Sequence, residues 1–146
     1  MQKLRKSLKI SSIAILILAA SDLLEIFANI IYGFDNVAIP EGAPENIILI
    51  TQITLAVVSF LLLLPWVYVG VKGLKEAKNP TSARAHIVWG IILTVIEIIG
   101  VISAVMAIIS AGEFSFANDF GLFYGIVKVT VFFDYVNHAR AVAKES

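Results

Sequence analysis

Long apolar runs separated by short polar stretches are the main pattern of this chain. Four runs have lengths that suit membrane helices, at residues 10–31, 47–71, 87–111 and 120–137. A helix rises 1.5 Å per residue, so even the last run reaches roughly 27 Å, enough for a hydrocarbon core. The pattern predicts an all-α fold, an integral membrane four-helix bundle running up-down-up-down in one transmembrane domain over residues 1–146.

The polar stretches indicate where the helices end. We expect the second helix to continue into water as far as Lys78, where Asn79-Pro80 stops it. Thr81 or Ser82 should then cap the third helix. Within the second helix Pro65 predicts a kink, and Trp66-Val67-Tyr68 places two amphipathic rings near the inner membrane interface.

Composition supports a membrane protein. Hydrophobic residues make up 59% of the chain and charged residues 15%, against about 25% charged in soluble domains. The mean hydropathy is +0.91. A water-soluble chain of 146 residues could not bury this much apolar surface, so the bilayer must solvate most of it. The chain has no cysteine, which excludes disulfides, cysteine–zinc sites and thiol chemistry.

The distribution of positive charge predicts the orientation. Ten of the eleven lysines and arginines lie in the leader 1–9, the loop 72–86 and the tail 138–146. The two other loops contain only acidic charges: Asp35, Glu41, Glu45, Glu113 and Asp119. The positive-inside rule therefore predicts cytoplasmic termini (N-in, C-in) and a cytoplasmic middle loop.

A cleaved signal peptide is the alternative for the first run. The basic leader and the small residues Ala19 and Ser21 would allow cleavage before Asp22. The apolar pattern continues past Asp22 to Ile31, however, so we expect an uncleaved helix. Three spans after cleavage would leave the orientation of the other helices unchanged.

Four ionisable residues fall within about two turns of the predicted bilayer centre: Asp22, Glu25, Glu97 and Lys128. Each isolated charge at that depth costs ~2.5–3.5 kcal/mol on insertion scales. The four residues must therefore face inward, form pairs or lose their charge.

Their spacing predicts that these residues meet. Asp22, Glu25 and Asn29 share one face of the first helix, Glu97 lies with Thr94 on the third, and Tyr124 lies with Lys128 on the fourth. We expect the three faces to converge around Lys128. Because three carboxylates then face one ammonium group, at least one of them should hold a proton at neutral pH.

Two interpretations of this cluster follow. In the first, Asp22, Glu25, Asn29, Glu97, Tyr124 and Lys128 form a buried polar network that sets the helix register. In the second, they bind an ion or ligand, as a proton relay, a cation path or a pocket for a cationic ligand.

The remaining polar residues suggest no other chemistry. Asp134 is expected to pair with Arg140 or with water, and His86 and His138 are interpreted as interfacial residues rather than metal ligands. The chain lacks a GxSxG motif and a surface of interleaved aromatic and basic residues, so neither hydrolase chemistry nor nucleic-acid binding is predicted. No metal or other cofactor is expected.

Two further patterns concern assembly. Ser103, Ala107 and Ala111 on the third helix, and Gly121 and Gly125 on the fourth, form small-residue seams that suit either packing of these helices or a homo-oligomer. A weak 2+2 parallel repeat relates residues 24–26 to 96–98, each an apolar-Glu-apolar triplet, and residues 66–69 to 133–136.

The sequence predicts a small non-enzymatic multi-pass membrane protein with a structural or accessory role. The alternative is an oligomeric channel or transporter linked to protons or cations that uses the intramembrane acids. The expected partners are the lipid bilayer, a second copy or another membrane protein, and a proton or cation. The expected location is a bacterial cytoplasmic membrane.

Overall fold

A computed structural model describes residues 2–32, 42, 44–81, 84–112 and 120–145, and four α-helices make up almost all of these residues. They are α1 (Gln2–Tyr32), α2 (Glu45–Lys78), α3 (Ala85–Ala111) and α4 (Phe120–Glu145). No strand occurs in these ranges. The predicted all-α four-helix fold is confirmed. Most of the two acidic loops, with Asp35, Glu41, Glu113 and Asp119, lies outside the described residues.

The helices extend beyond the predicted apolar runs. Most of the leader belongs to α1, residues 72–78 belong to α2 and residues 138–145 belong to α4. These segments are rich in lysine, arginine, leucine and alanine, which are good helix formers. They also contribute to the core, because Leu8 and Val142 are buried there.

The connection between α2 and α3 corrects one prediction. Asn79 ends α2 in an extended conformation, as expected. The N-cap of α3 is Arg84, without a side-chain cap, so Thr81 is not the cap, while Ser82 lies outside the described residues. Thr81 instead donates its backbone N–H and its hydroxyl to the carboxylate of Glu76, at 2.5 and 2.6 Å.

Burial divides the bundle into two halves. All buried residues lie in what we call the closed half, residues 2–19 of α1, 63–78 of α2, 85–94 of α3 and 132–145 of α4. The rest of the four helices is called the open half. Because one core unites the start of α1 and α3 with the end of α2 and α4, neighbouring helices run antiparallel, up-down-up-down.

Small residues let the helices of the closed half approach closely. A Cβ atom on Gly73 would overlap the hydroxyl of Ser12 and the ring of Tyr135, and one on Gly90 would crowd Tyr135 as well. Tyr135 is buried and donates its hydroxyl to the backbone carbonyl of Val69 at 3.1 Å. The side chains of Ser12 on α1 and Tyr135 on α4 therefore pack directly against the backbone of α2 at Gly73. Such close packing at small residues is common between membrane helices.

The open half consists mostly of outward-facing apolar side chains. The helices α1, α2 and α3 are each long and apolar enough to cross a membrane. Among the described residues, α4 is not apolar enough to be counted with these three helices. It carries two charged residues, Lys128 and Asp134. Three helices are thus long and apolar enough to cross a membrane, while the membrane location, the fourth span and the orientation stay predictions.

The residues of the predicted small-residue seam on α4, and those of the predicted repeat, lie in unequal environments. Gly125 packs against Val101 of α3, whereas nothing lies within 4 Å of a Cβ placed on Gly121. The GxxxG motif therefore contributes one contact between α3 and α4. In the predicted repeat, Trp66 is buried but its counterpart Phe133 is exposed, so the two segments do not pack equivalently.

Candidate functional site

An ion pair between α1 and α4 lies where the closed half gives way to the open half. The Nζ atom of Lys128 is 3.0 Å from Oδ2 of Asp22, and the two side chains are only 15% and 18% exposed. The hydroxyl of Tyr124 donates to Oδ1 of Asp22 at 2.8 Å. Both carboxylate oxygens of Asp22 therefore have a donor, and its charge is compensated within the protein.

Two aromatic rings complete the surroundings of the lysine. The ammonium nitrogen of Lys128 lies 4.8 Å from the centre of the Trp66 ring and 4.5 Å from that of Tyr124. Cations within about 6 Å of an aromatic face are attracted by its quadrupole, more strongly where water is absent. Trp66 is itself held by an edge-on contact with Phe132, at 4.7 Å between ring centres. Lys128 is thus well compensated without a second carboxylate.

Two further acids lie beside this pair. Glu25, one turn beyond Asp22 on α1, and Glu97 on α3 line the same cavity of about 370 Å³ as the ion pair. Within the described ranges, neither carboxylate forms a hydrogen bond or a salt bridge. With all three acids ionised and Lys128 charged, the cavity would carry a net charge of −2, so it electrostatically favours a cation.

The rest of the lining is aromatic and apolar with a few polar atoms. Asn29 and Ser59 add neutral hydrogen-bonding groups, and Trp66 and Trp89 add two indole rings. The volume falls in the range of about 300–1,000 Å³ that small-molecule sites occupy. Residues of all four helices line the cavity. Among these helices, α2 and α3 contact each other less than α1 contacts α2 or α3 contacts α4. We call this cavity the crevice.

The structure brings the predicted cluster together. Asp22, Glu25, Asn29, Glu97 and Lys128 line the crevice, and Tyr124 contacts both members of the ion pair. Thr94 shares the face of Glu97 but is buried, and its hydroxyl donates to the carbonyl of Gly90 at 2.7 Å. Glu25 and Glu97, unlike Asp22, form no hydrogen bond or salt bridge with the residues that the structure describes. Glu25 is exposed, which corrects the prediction that it faces inward.

The two tryptophans are the residues that sequence reasoning missed. Trp66 was expected at the membrane interface, but it is buried inside the bundle below Lys128. Trp89 precedes Glu97 by two helical turns, with Leu93 between them, so all three share one face of α3. That four-residue spacing is a signal that could have placed Trp89 in the crevice.

A second polar contact involves Asp134, which has partners other than the predicted Arg140, while its side chain is half exposed and so open to the predicted water. Its carboxylate accepts a hydrogen bond from the buried hydroxyl of Ser11 on α1 and lies 3.2 Å from Nδ1 of His138. Arg140 is six residues away, about two-thirds of a turn around the helix, and so points elsewhere. His138 at i+4 is on the correct face. This contact is a second tie between α1 and α4.

The histidines do not converge with other ligands. His86 is buried against the edge of the Tyr135 ring, with 6.3 Å between ring centres, rather than lying at an exposed interface. No group of three or more His, Cys, Asp or Glu side chains that could hold a metal ion is found among the residues that the structure describes. The acids of the crevice are therefore too dispersed to act as a chelating site as they stand.

Comparison with known proteins assigns no family: no family model, no curated protein and no solved structure matches this chain.

Proposed function

We propose that the protein is an integral membrane protein with four spans and with both termini on the cytoplasmic side. Pairing of Lys128 with Asp22 supports α4 as a span, because it compensates the charge that lowers the apolar character of this helix. The positions of the lysines and arginines support the orientation. Its membrane is proposed to be a bacterial cytoplasmic membrane.

Cysteine labelling tests this topology, since the native chain has no cysteine. Glu45→Cys and Lys78→Cys introduce a thiol at exposed positions at opposite ends of α2. A membrane-impermeant maleimide added to intact cells should label the first variant and not the second. Labelling of Lys78→Cys alone would reverse the proposed orientation.

We further propose that the crevice binds a cation and that the protein acts without enzymatic chemistry. The observation that carries this proposal is that Glu25 and Glu97 line a ligand-sized cavity and form no hydrogen bond or salt bridge with the part of the chain that the structure describes. Burying an uncompensated carboxylate in a membrane is costly, so a cationic ligand or a proton would stabilise each of them. The indole rings of Trp66 and Trp89 favour an organic ammonium ion over a strongly hydrated metal ion.

Intrinsic fluorescence offers a direct test, because the only two tryptophans of the chain both line the crevice. Tetraethylammonium titrated into the purified full chain in detergent should produce a saturable change in emission. Replacing both acids, Glu25→Gln with Glu97→Gln, should weaken binding at least about tenfold.

The matched control is Glu45→Gln, which removes an exposed carboxylate outside the crevice. This variant should bind as tightly as the wild type. An unchanged titration in the double variant, or the absence of a saturable signal in the wild type, would contradict cation binding.

Transport would extend this proposal. A single four-helix bundle leaves little room for a water-filled path, so conduction would need an oligomer or alternating access. Flux of the same cation into proteoliposomes, present in the wild type and lost in Glu97→Gln, would identify the crevice as part of a transport path. Binding without flux would favour a receptor-like or accessory role.

A structural or accessory role is the second candidate. It is favoured by the contacts that join α1 to α4, which are Lys128 with Asp22 and Ser11 with Asp134. In this case the polar residues set the helix register, and the functional surface would be the exterior of the bundle, facing a second copy or another membrane protein.

A further inference from the structure

A second cavity lies at the other end of the molecule, in the closed half between α3 and α4. Its volume is about 400 Å³. Its polar lining is entirely basic and consists of Arg84, Arg140 and Lys144. Its remaining lining is apolar and includes Ile87, Val88 and Ile91 of α3. We call this cavity the basic groove.

The three cations of the basic groove are not paired with acids among the described residues. All three residues are exposed, and none of them forms a salt bridge within the described part of the chain. The residues that line the groove include no acid. Three positive side chains from the ends of two helices therefore surround one space, and no described anion balances them.

The apolar wall indicates what kind of anion would fit. Arg84 immediately precedes α3, and Ile87, Val88 and Ile91 follow it along the first two turns of a helix that can cross a membrane. A free phosphate ion would gain nothing from this apolar strip. A phospholipid would use both parts, with its phosphate among the three cations and an acyl chain along the isoleucines.

We propose that the basic groove binds an anionic phospholipid. The inference is independent of cation binding in the crevice, because the two cavities share no lining residue. The groove would hold the lipid at the level where headgroups meet the helix ends, between the start of α3 and the end of α4. Basic pockets between membrane helices commonly bind lipid headgroups in this way.

Native mass spectrometry of the full chain released from detergent tests the proposal. Two lipids with the same acyl chains, dimyristoyl phosphatidylglycerol and dimyristoyl phosphatidylcholine, differ in net headgroup charge. We expect the wild type to retain the anionic lipid at least about tenfold more strongly, since each basic residue near the surface contributes ~1 kcal/mol. The variant carrying Arg84→Gln, Arg140→Gln and Lys144→Gln should lose this preference.

The matched control carries Lys3→Gln, Lys6→Gln and Lys9→Gln. It removes the same number of exposed positive charges from α1, outside the groove, and should keep the preference. If the triple groove variant fails to fold, Arg140→Gln and Lys144→Gln alone should each show part of the loss.

Three results would overturn the proposal. The wild type could bind both lipids equally, or the control on α1 could lose the preference as fully as the groove variant. Millimolar inorganic phosphate could also displace the anionic lipid, which would identify the ligand as a free phosphate rather than a lipid.

Discussion

The closed and open halves use the same kinds of side chain in opposite ways. In the closed half, aromatic and aliphatic side chains point inward and pack around Tyr135 and Phe132. In the open half, comparable side chains such as Phe27, Ile50 and Ile109 point outward. Both halves are mostly apolar, yet only the closed half has a core.

The difference agrees with the proposed membrane location. In water, exposed apolar surface of this extent would drive the open half to collapse. Lipid tails solvate such surface as well as another helix does, so the helices can stay apart. The polar residues of the crevice lie at the boundary between the two halves. The helices there pack closely enough to bring the groups of the ion pair together, and they also leave room for a cavity.

The largest effect on stability is expected from a comparison of two neighbouring phenylalanines of α4. Phe132 is 0% exposed and Phe133 is 60% exposed. Phe132→Ala should lower the free energy of unfolding by about 3–5 kcal/mol, because it opens a cavity beneath Trp66. Phe133→Ala should change it by less than about 0.5 kcal/mol, since lipid replaces the ring.

Unfolding by SDS in mixed micelles would measure both variants. The same side chain is removed from the same helix, so composition and helix propensity are matched. A similar loss of stability in both would mean that the outward face of α4 packs against protein, and the division into two halves would then fail for this helix.

The next largest effect on stability is expected from the ion pair at the boundary between the two halves. Lys128→Met should destabilise the protein by roughly 3 kcal/mol, because it leaves the Asp22 carboxylate without its cation. Thermal unfolding of the wild type and the variant in detergent measures this loss.

The double variant Lys128→Met with Asp22→Asn provides the control. The amide can still accept the hydrogen bond of Tyr124, and no charge is stranded, so most of the lost stability should return. If Lys128→Met alone unfolds at the wild-type temperature, the ion pair does not hold α1 to α4.

Sequence reasoning could predict the cluster because helix geometry determines it. The depth of a residue in the predicted membrane follows from the helical rise per residue, and the side of the helix on which it lies follows from the 3.6-residue period. The depths of Asp22, Glu97 and Lys128 could therefore be compared without coordinates. The partner of Lys128 was not predicted, because three acids were within reach. The choice of Asp22 depends on Tyr124, whose hydroxyl occupies the other carboxylate oxygen.

The two halves and the basic groove could not be predicted in this way. An isoleucine that contacts lipid and one that contacts another helix look the same in an apolar run, because no water-facing side marks the difference. Trp66 was misplaced for this reason. Its burial depends on Phe132 and Lys128, which are more than sixty residues away in the chain.

The smallest effect on stability is expected from replacing one glycine in each half. Gly73→Ala should cost about 1–3 kcal/mol, because its Cβ would overlap Ser12 and Tyr135, and Tyr135 cannot retreat without breaking its hydrogen bond to Val69. Gly100→Ala in the open half meets nothing within 4 Å and should gain up to about 1 kcal/mol from helix propensity. Thermal unfolding in detergent should therefore show opposite signs. Equal losses would place packed protein around Gly100 and show that lipid alone does not fill the open half.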